Sequence, residues 1–248
     1  MIGGFTLTQV LLTAAVVYAA FFVRGMSGFG TSLVAMPLLV FVLPIRTAVP
    51  LMGLLVFVLF VFLTIRDRRD VLWREIRVLL IPTLAGVAAG LVLFSRLDST
   101  LLLRCLGVVT IAYAVYALAV HSFGLPPARC SERWALPAGF AGSFVDTMFG
   151  GGGGTIVVVY MHLRGVGKVQ FRATVAMLWF FEMIARIGGY AASGYYTQPV
   201  LVLAAVLLPV MWLGTWSGEQ VHHRVSQETF SKVLAVMILA SGIALLLK

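Results

Sequence analysis

The sequence predicts an all-α polytopic membrane protein, and composition gives the first reason. Of its 248 residues, 61% are hydrophobic and 11% are charged, with a mean hydropathy of +1.04. A soluble domain cannot be this apolar, whereas helices that cross a bilayer must be. The second reason is that long apolar runs alternate with short polar connections. The third is that glycines interrupt two of these runs, at 25–30 and at 150–154.

The order of apolar runs divides the chain into two repeats, residues 1–125 and 126–248. We expect each repeat to hold a glycine-broken helical hairpin followed by three transmembrane helices. In the first repeat, the hairpin is predicted at 7–43 and the helices at 50–65, 78–94 and 101–120. In the second repeat, the hairpin is predicted at 134–163 and the helices at 173–192, 200–216 and 230–247.

Prolines, glycines and charges support these bounds. Pro44 lies in the turn after the first hairpin, and Pro50 suits the first turn of a helix, where a missing N–H is tolerated. The charge cluster at 66–77 ends that helix as an anchor at the membrane surface. Gly86 and Gly90 are four residues apart, a spacing that favours close packing of the next helix.

The two glycine breaks correspond to each other. Aligning Gly28 with Gly150 also aligns Gly30 with Gly152, and a short apolar segment follows each break. A basic turn with an alanine after it comes next in both halves. This weak internal similarity predicts a two-fold repeat of the kind found in transporters.

The distribution of basic residues favours inverted repeats over parallel ones. If each broken element enters and leaves the membrane on one side, twelve of the 18 basic residues share the side of the cluster at 66–77 and four lie opposite. Parallel repeats would place eight on each side, which does not fit the positive-inside rule. We therefore expect the cluster inside the cell and the N-terminus outside.

The charge balance and the motifs exclude several function classes. The net charge is +9, but the basic residues fall in short connections, so we expect a lipid bilayer and no nucleic acid as partner. Cys105 and Cys130 have no histidine pair nearby, so no disulfide and no metal site are expected. Serine-protease, zinc-protease and P-loop motifs are missing. We expect no catalytic residue and no cofactor, and these absences disfavour the alternative of an intramembrane enzyme.

The glycine breaks predict an anion site. A helix that starts inside the membrane presents unpaired N–H groups and partial positive charge, and glycine lets a ligand approach the backbone. Neighbouring hydroxyl groups add donors. The alternative is that the glycines only permit tight helix crossing. The candidate substrate-binding residues are Arg24, Gly28, Gly30, Thr31, Ser32, Gly150, Gly151, Gly152, Gly153, Gly154, Thr155 and Arg186.

Four charged residues lie at predicted membrane depth: Arg24, Asp146, Glu182 and Arg186. A charge there costs about 2.5 kcal/mol or more, which makes each a functional candidate. Arg24 would attract an anion, and Asp146 and Glu182 are candidates for proton coupling. The alternatives are structural. Arg24 and Asp146 would form an ion pair across the repeat, and Glu182 would pair with Arg186, which is four residues further along the same helix face.

The residues around both breaks resemble those of the sulfite exporter TauE/SafE family of transporters. The first copy reads Gly25-Met26-Ser27-Gly28-Phe29-Gly30 through Met36-Pro37-Leu38-Leu39, followed by Arg46-Thr47-Ala48. The second copy reads Phe149 and Gly150–Gly154, followed by Arg172-Ala173. The first copy departs from the family's usual glycine triplet, because Thr31-Ser32 follow Gly30.

The resemblance implies a function that composition and spacing do not show. It implies a secondary transporter, an exporter, that moves small sulfur-containing anions (sulfite, thiosulfate or organosulfonates) across the bacterial inner membrane by alternating access. The N-terminus would then be periplasmic. A passive anion channel is the alternative that shares every candidate residue. The coupling ion, H⁺ or Na⁺, and the oligomeric state stay open.

Overall fold

The computed structural model describes residues 4–27, 30–123, 130–221, 239 and 242–245. Over these residues the chain is almost entirely helical, as predicted. The α-helices are α1 (Leu7–Ser27), α2 (Thr31–Leu39), α3 (Ile45–Asp67), α4 (Trp73–Arg96), α5 (Ser99–Phe123), α6 (Ala135–Phe149), α7 (Gly154–Leu163), α8 (Lys168–Ala192) and α9 (Gln198–Val221). Short 3₁₀ helices precede α4, at Arg68–Asp70, and α6, at Glu132–Trp134.

Six of the described helices are long and apolar enough to cross a membrane: α1, α3, α4, α5, α8 and α9. α2, α6 and α7 have 9, 15 and 10 residues and are too short to cross singly. Five of the six predicted full crossings therefore have a counterpart. The sixth, predicted at 230–247, falls largely outside the described residues. The first helix of the first broken element, α1, has 21 residues and is long enough to cross by itself.

The helices extend beyond most predicted bounds because flanking polar residues continue the helical backbone. α3 shows this most clearly, since it begins at Ile45 and not at Pro50. The carbonyl oxygen of Pro44 accepts hydrogen bonds from the N–H groups of Thr47 at 2.8 Å and Ala48 at 2.9 Å. The predicted turn is thus the first turn of the helix, and Pro50 lies inside it. Arg46 in that turn donates to the carbonyl oxygen of Leu97 at 2.7 Å.

The chain forms two compact units that each draw on separate stretches of sequence. The first unit comprises Met1–Leu51, Leu97–Leu125 and Tyr195–Lys248, and the second comprises Met52–Arg96 and Pro126–Gly194. The predicted repeats, in contrast, are consecutive along the chain. The repeats are defined by similarity between the two halves of the sequence, whereas the units are defined by compactness. The division into repeats at residue 125 therefore stays a prediction.

In the first unit, α1 packs along α9 through glycines. A Cβ atom added at Gly218 would overlap the carbonyl oxygen of Phe22 and would lie 3.0 Å from the Cα atom of Gly25. At Gly214 it would lie 2.7 Å from the carbonyl oxygen of Tyr18. Gly214 and Gly218 are four residues apart, so one glycine face of α9 lets the two backbones approach closely.

In the second unit, α4 packs along α6 and α8, and α7 lies against α6 and α8. A Cβ atom at Gly86 would overlap the carbonyl oxygen of Phe140, and one at Gly90 would lie 2.8 Å from the Cβ atom of Thr147. The predicted role of these two glycines in close helix packing is confirmed. Apolar side chains from all four helices form the core of the unit, among them Leu79, Ala138, Val157, Met161 and Leu178.

Candidate functional site

The second glycine break separates α6 from α7 by a left-handed backbone. Gly150 has a φ of 77° and Gly152 a φ of 101°, a region that residues with a Cβ atom rarely adopt. The N–H of Gly150 donates to the carbonyl oxygen of Asp146 at 2.8 Å and closes the last turn of α6. The sequence therefore needs glycine here to end one helix and begin another inside an apolar segment.

The next two glycines allow close packing. A Cβ atom at Gly153 would overlap the carbonyl oxygen of Gly142 in α6. At Gly154 it would lie 2.7 Å from Cζ2 of the Trp179 ring and 3.3 Å from Oδ2 of Asp146. The structure thus gives both glycines a packing role. Their contribution to anion binding stays a prediction.

Asp146 occupies the start of α7. Its side chain is 6% exposed, and its Oδ1 atom accepts a hydrogen bond from the N–H of Gly153 at 2.9 Å. A carboxylate at this position stabilises the positive end of the helix dipole. From the sequence alone, we expect the N–H groups at this end to be open to a ligand. The N–H groups of Gly153 and Gly154 instead interact with Asp146, which precedes Gly153 by seven positions, because the chain folds back at the break.

Glu182 and Arg186 lie on one face of α8 and form the predicted pair. Their Oε1 and Nη1 atoms are 3.5 Å apart, and both side chains are 1% exposed. Each also interacts electrostatically with Asp146 of α6. The second unit therefore buries two acidic groups and one basic group close together.

The pair forms few hydrogen bonds of ordinary geometry, although Tyr190 lies beside Arg186 and Ser143 faces Glu182. None of the three guanidinium nitrogens of Arg186, nor Oε1 of Glu182, meets hydrogen-bond geometry with any residue that the structure describes. The buried Oγ of Ser143 and Nε1 of Trp179 also lack a partner within the described part of the chain. Buried polar groups are nearly always hydrogen-bonded. A buried guanidinium group without a hydrogen-bond partner among the described residues is suited to an anionic ligand.

Aromatic side chains hold the cluster in place. The hydroxyl group of Tyr190, one turn beyond Arg186 on α8, donates to the carbonyl oxygen of Thr147 and ties α8 to α6. The Tyr190 ring packs edge-on against Phe94 of α4, with centroids 5.6 Å apart. Trp179 packs against Phe60 at 5.2 Å. The polar groups are therefore carried by well-packed helices and not by loops.

The first glycine break belongs to the first unit. Gly30 has a φ of 90° and directly precedes α2, while Gly28 lies outside the described residues. Thr31 is 4% exposed, and its Oγ1 atom has no hydrogen-bond partner among the residues described. Ser32 is half-buried. These positions fit a hydroxyl-bearing helix start, as predicted from the sequence.

Arg24 is 8% exposed in the last turn of α1 and interacts electrostatically with Glu219 of α9. Sequence reasoning did not single out Glu219, because nothing in the local pattern relates the two helices. Asp146 belongs to the other unit, so the proposed Arg24–Asp146 pair stays a prediction.

A second polar cluster lies at helix ends in the second unit, and the sequence did not indicate it. Arg164 donates to Oε1 of Glu75 from Nε at 3.1 Å and from Nη2 at 2.8 Å, and Tyr160 donates to Oε2 at 2.9 Å. Glu132 contacts Arg164 at 3.3 Å and Arg74 at 2.5 Å. The hydrogen bond to Glu75 raises the pKa of Arg164. No local sequence signal relates positions 89 residues apart.

This polar cluster shows where the α6–α7 segment begins and ends. The N–H of Cys130, before α6, donates to the carbonyl oxygen of Leu163, the last residue of α7, at 3.1 Å. Arg164 also donates to the carbonyl oxygen of Cys130 at 3.4 Å. The two helices thus run out and back, and both ends of the segment lie beside the start of α4.

Comparison with protein families gives one match of nearly full length. The family described as "Sulfite exporter TauE/SafE" matches residues 12–245, a stretch that contains both glycine breaks and every candidate site residue. Comparison with curated proteins and with solved structures gives no match.

Proposed function

Because the chain belongs to the sulfite exporter TauE/SafE family of membrane transporters, we propose that it exports small sulfur-containing anions as a secondary transporter. Sulfite, thiosulfate and organosulfonates are the proposed substrates. The chain is a multi-pass membrane protein, and the proposed location is the bacterial inner membrane. Alternating access of two inverted repeats is the proposed mechanism.

The main support for this proposal is the burial of Arg186 and the lack of hydrogen-bond partners around it in the described part of the chain. A guanidinium group that is 1% exposed, with three nitrogens lacking hydrogen-bond partners among the described residues, is costly in a membrane. Glu182, at 3.5 Å, is its ion-pair partner but forms no hydrogen bond of ordinary geometry with it. The oxygen atoms of a sulfite or sulfonate group would accept from several of these nitrogens at once. Ser143 of α6, which faces Glu182, supplies a further donor.

Residues of the two glycine breaks are proposed as further contacts to the anion. Gly150 to Gly154 and Thr155 would let the anion approach the start of α7, next to Arg186. Because Asp146 already accepts from Gly153, Arg186 and not the helix N-terminus is the main anion ligand in this proposal. In the first unit, Arg24, the hydroxyl groups of Thr31 and Ser32 and the backbone of Gly28 and Gly30 are proposed as anion contacts.

The polar cluster supports the proposed orientation of the second unit. Arg74, in the first turn of α4, and Arg164, directly after α7, belong to two basic segments that the positive-inside rule assigns to the cytoplasm. Both contact Glu132 from a third such segment. A hairpin that enters and leaves on the cytoplasmic side, as inverted repeats require, accounts for this. The N-terminus would then be periplasmic.

Flux into proteoliposomes tests the proposed function. We expect saturable uptake of sulfite or thiosulfate that depends on the protein and is lost in Arg186→Gln. Arg104→Gln is the matched control, because Arg104 is an exposed arginine of the transmembrane helix α5. Equal flux for the wild type and Arg186→Gln would refute the assigned ligand. Non-saturable flux that ignores imposed pH and sodium gradients would indicate a passive channel.

A further inference from the structure

Asp146, Glu182 and Arg186 form a buried triad in the second unit. This triad contains more acidic groups than an anion site needs. Two acidic side chains, Asp146 and Glu182, share one basic side chain, Arg186, and all three are less than 10% exposed. With both acids ionised, the triad has a net negative charge before any ligand arrives. A further anion would then add a second uncompensated negative charge to an apolar environment, which is strongly unfavourable.

Asp146 and Glu182 differ in the groups that stabilise their negative charges. Asp146 accepts the N–H of Gly153 at 2.9 Å at the start of α7, so its negative charge has support that does not depend on Arg186. Oε1 of Glu182 has no hydrogen-bond partner in the described part of the chain and lies 3.5 Å from Nη1 of Arg186. The charge of Glu182 therefore depends mainly on the same guanidinium group that the anion would use.

We infer that the anion and the ionised Glu182 compete for Arg186, so that each bound anion is accompanied by one proton taken up on Glu182. This inference rests on the proposed function and links anion binding to proton uptake at the same site. In the empty site, Glu182 serves as the counter-ion of Arg186. When the anion replaces it, the buried carboxylate loses its counter-ion and takes a proton from solution. Asp146 keeps the hydrogen bond from the N–H of Gly153 at the helix start.

The groups around Glu182 are compatible with this exchange. Asp146 and Ser143 face it from α6, and Arg186 neighbours it on α8. Tyr190, also on α8, lies beside Arg186. The titratable side chains Glu75 of α4 and Tyr160 of α7 hydrogen-bond to each other at 2.9 Å in the polar cluster. A proton that neutralises Glu182 also removes its repulsion with Asp146.

Calorimetry on the purified full-length protein measures the coupling. Ethanesulfonate is a suitable probe, because it stays a monoanion at every pH used and contributes no proton itself. Titrations in two buffers with different ionisation enthalpies give the number of protons bound with each sulfonate. We expect about one proton per sulfonate for the wild type and a Kd that rises about tenfold per pH unit where free Glu182 is ionised.

Two variants separate the roles of the acids. Glu182→Gln should bind the sulfonate with no proton uptake and with a Kd that does not change with pH. Asp146→Asn should keep the proton uptake, because Glu182 is intact. If Glu182→Gln does not fold, the wild-type proton count still decides.

The outcomes distinguish this inference from the proposed function. Sulfonate binding by the wild type without proton uptake would overturn the inference and leave the proposed function standing. Proton uptake that survives in Glu182→Gln would also overturn it, since another group would then carry the proton. If neither ethanesulfonate nor thiosulfate binds, the proposed function fails, and the inference fails with it.

Discussion

Replacing Gly153 by alanine should damage the second glycine break in a way that the structure lets us estimate. The added Cβ atom would overlap the carbonyl oxygen of Gly142 and lie 2.8 Å from its carbonyl carbon and 2.9 Å from Cβ of Val145. Ordinary contact begins at 3.4 Å, so α6 and α7 would have to separate by more than the missing 0.6 Å. Both obstacles lie close to the backbone and cannot turn away as a flexible side chain could.

The cost has two parts. Overpacking against a rigid neighbour costs about 1–3 kcal/mol. The shift would also weaken the hydrogen bond from the Gly153 N–H to Asp146, and bonds to charged groups contribute about 1.5–3 kcal/mol. Since the chain can relax in part, we expect a loss of about 3 kcal/mol. That corresponds to an apparent Tm lower by roughly 6–12 °C for a chain of this length.

Thermal unfolding in detergent, followed by circular dichroism or by a thiol-reactive dye, measures the effect. Gly188→Ala is the matched control, because Gly188 lies within α8 and a Cβ atom there would meet nothing within 4 Å. The control should keep or slightly raise the Tm, since alanine favours the helix. A Gly153→Ala protein as stable as the wild type would refute the packing described for α6 and α7.

Two further changes test packing and charge. Gly218→Ala would press a Cβ atom against the carbonyl oxygen of Phe22, and we expect an apparent stability loss of about 2 kcal/mol; an unchanged Tm would argue against the α1–α9 contact. Glu75→Gln removes the negative partner of Arg164, and because Glu75 is buried we expect a loss of about 2 kcal/mol. A Glu75→Gln variant with wild-type Tm and wild-type resistance of the α6–α7 loops to proteolysis would show that the polar cluster does not hold them together.

Much of the fold follows from hydrophobicity, because lipid permits few alternatives to a helix. The apolar runs identify the membrane helices, and glycines with a left-handed backbone mark the end of α6 and the start of α2. The helix ends were predicted less well. Pro44 serves as the start of α3 through its carbonyl group, a role that composition does not reveal. Pro50 therefore lies inside a helix that was expected to begin with it.

The candidate site was predictable where the relation between residues is local. Glu182 and Arg186 are four residues apart in one helix, so their shared face follows from helical geometry. Asp146 reaches Gly153 only because the chain reverses at the break, which spacing alone does not show. Contacts between helices that are far apart along the chain leave no signal in the local sequence pattern. Arg164 meets Glu75, and Arg24 interacts with Glu219, through packing that a single sequence does not encode in any local pattern.

Equilibrium binding of radiolabelled thiosulfate to the purified protein tests most directly whether Arg186 holds the anion. Hydrogen bonds to a charged group are worth about 1.5–3 kcal/mol, so we expect Arg186→Gln to raise the Kd about ten- to hundredfold while Arg104→Gln leaves it unchanged. Both variants should elute as folded protein on size exclusion. A folded Arg186→Gln protein that binds thiosulfate with the wild-type Kd would contradict the assignment of Arg186 as the anion ligand.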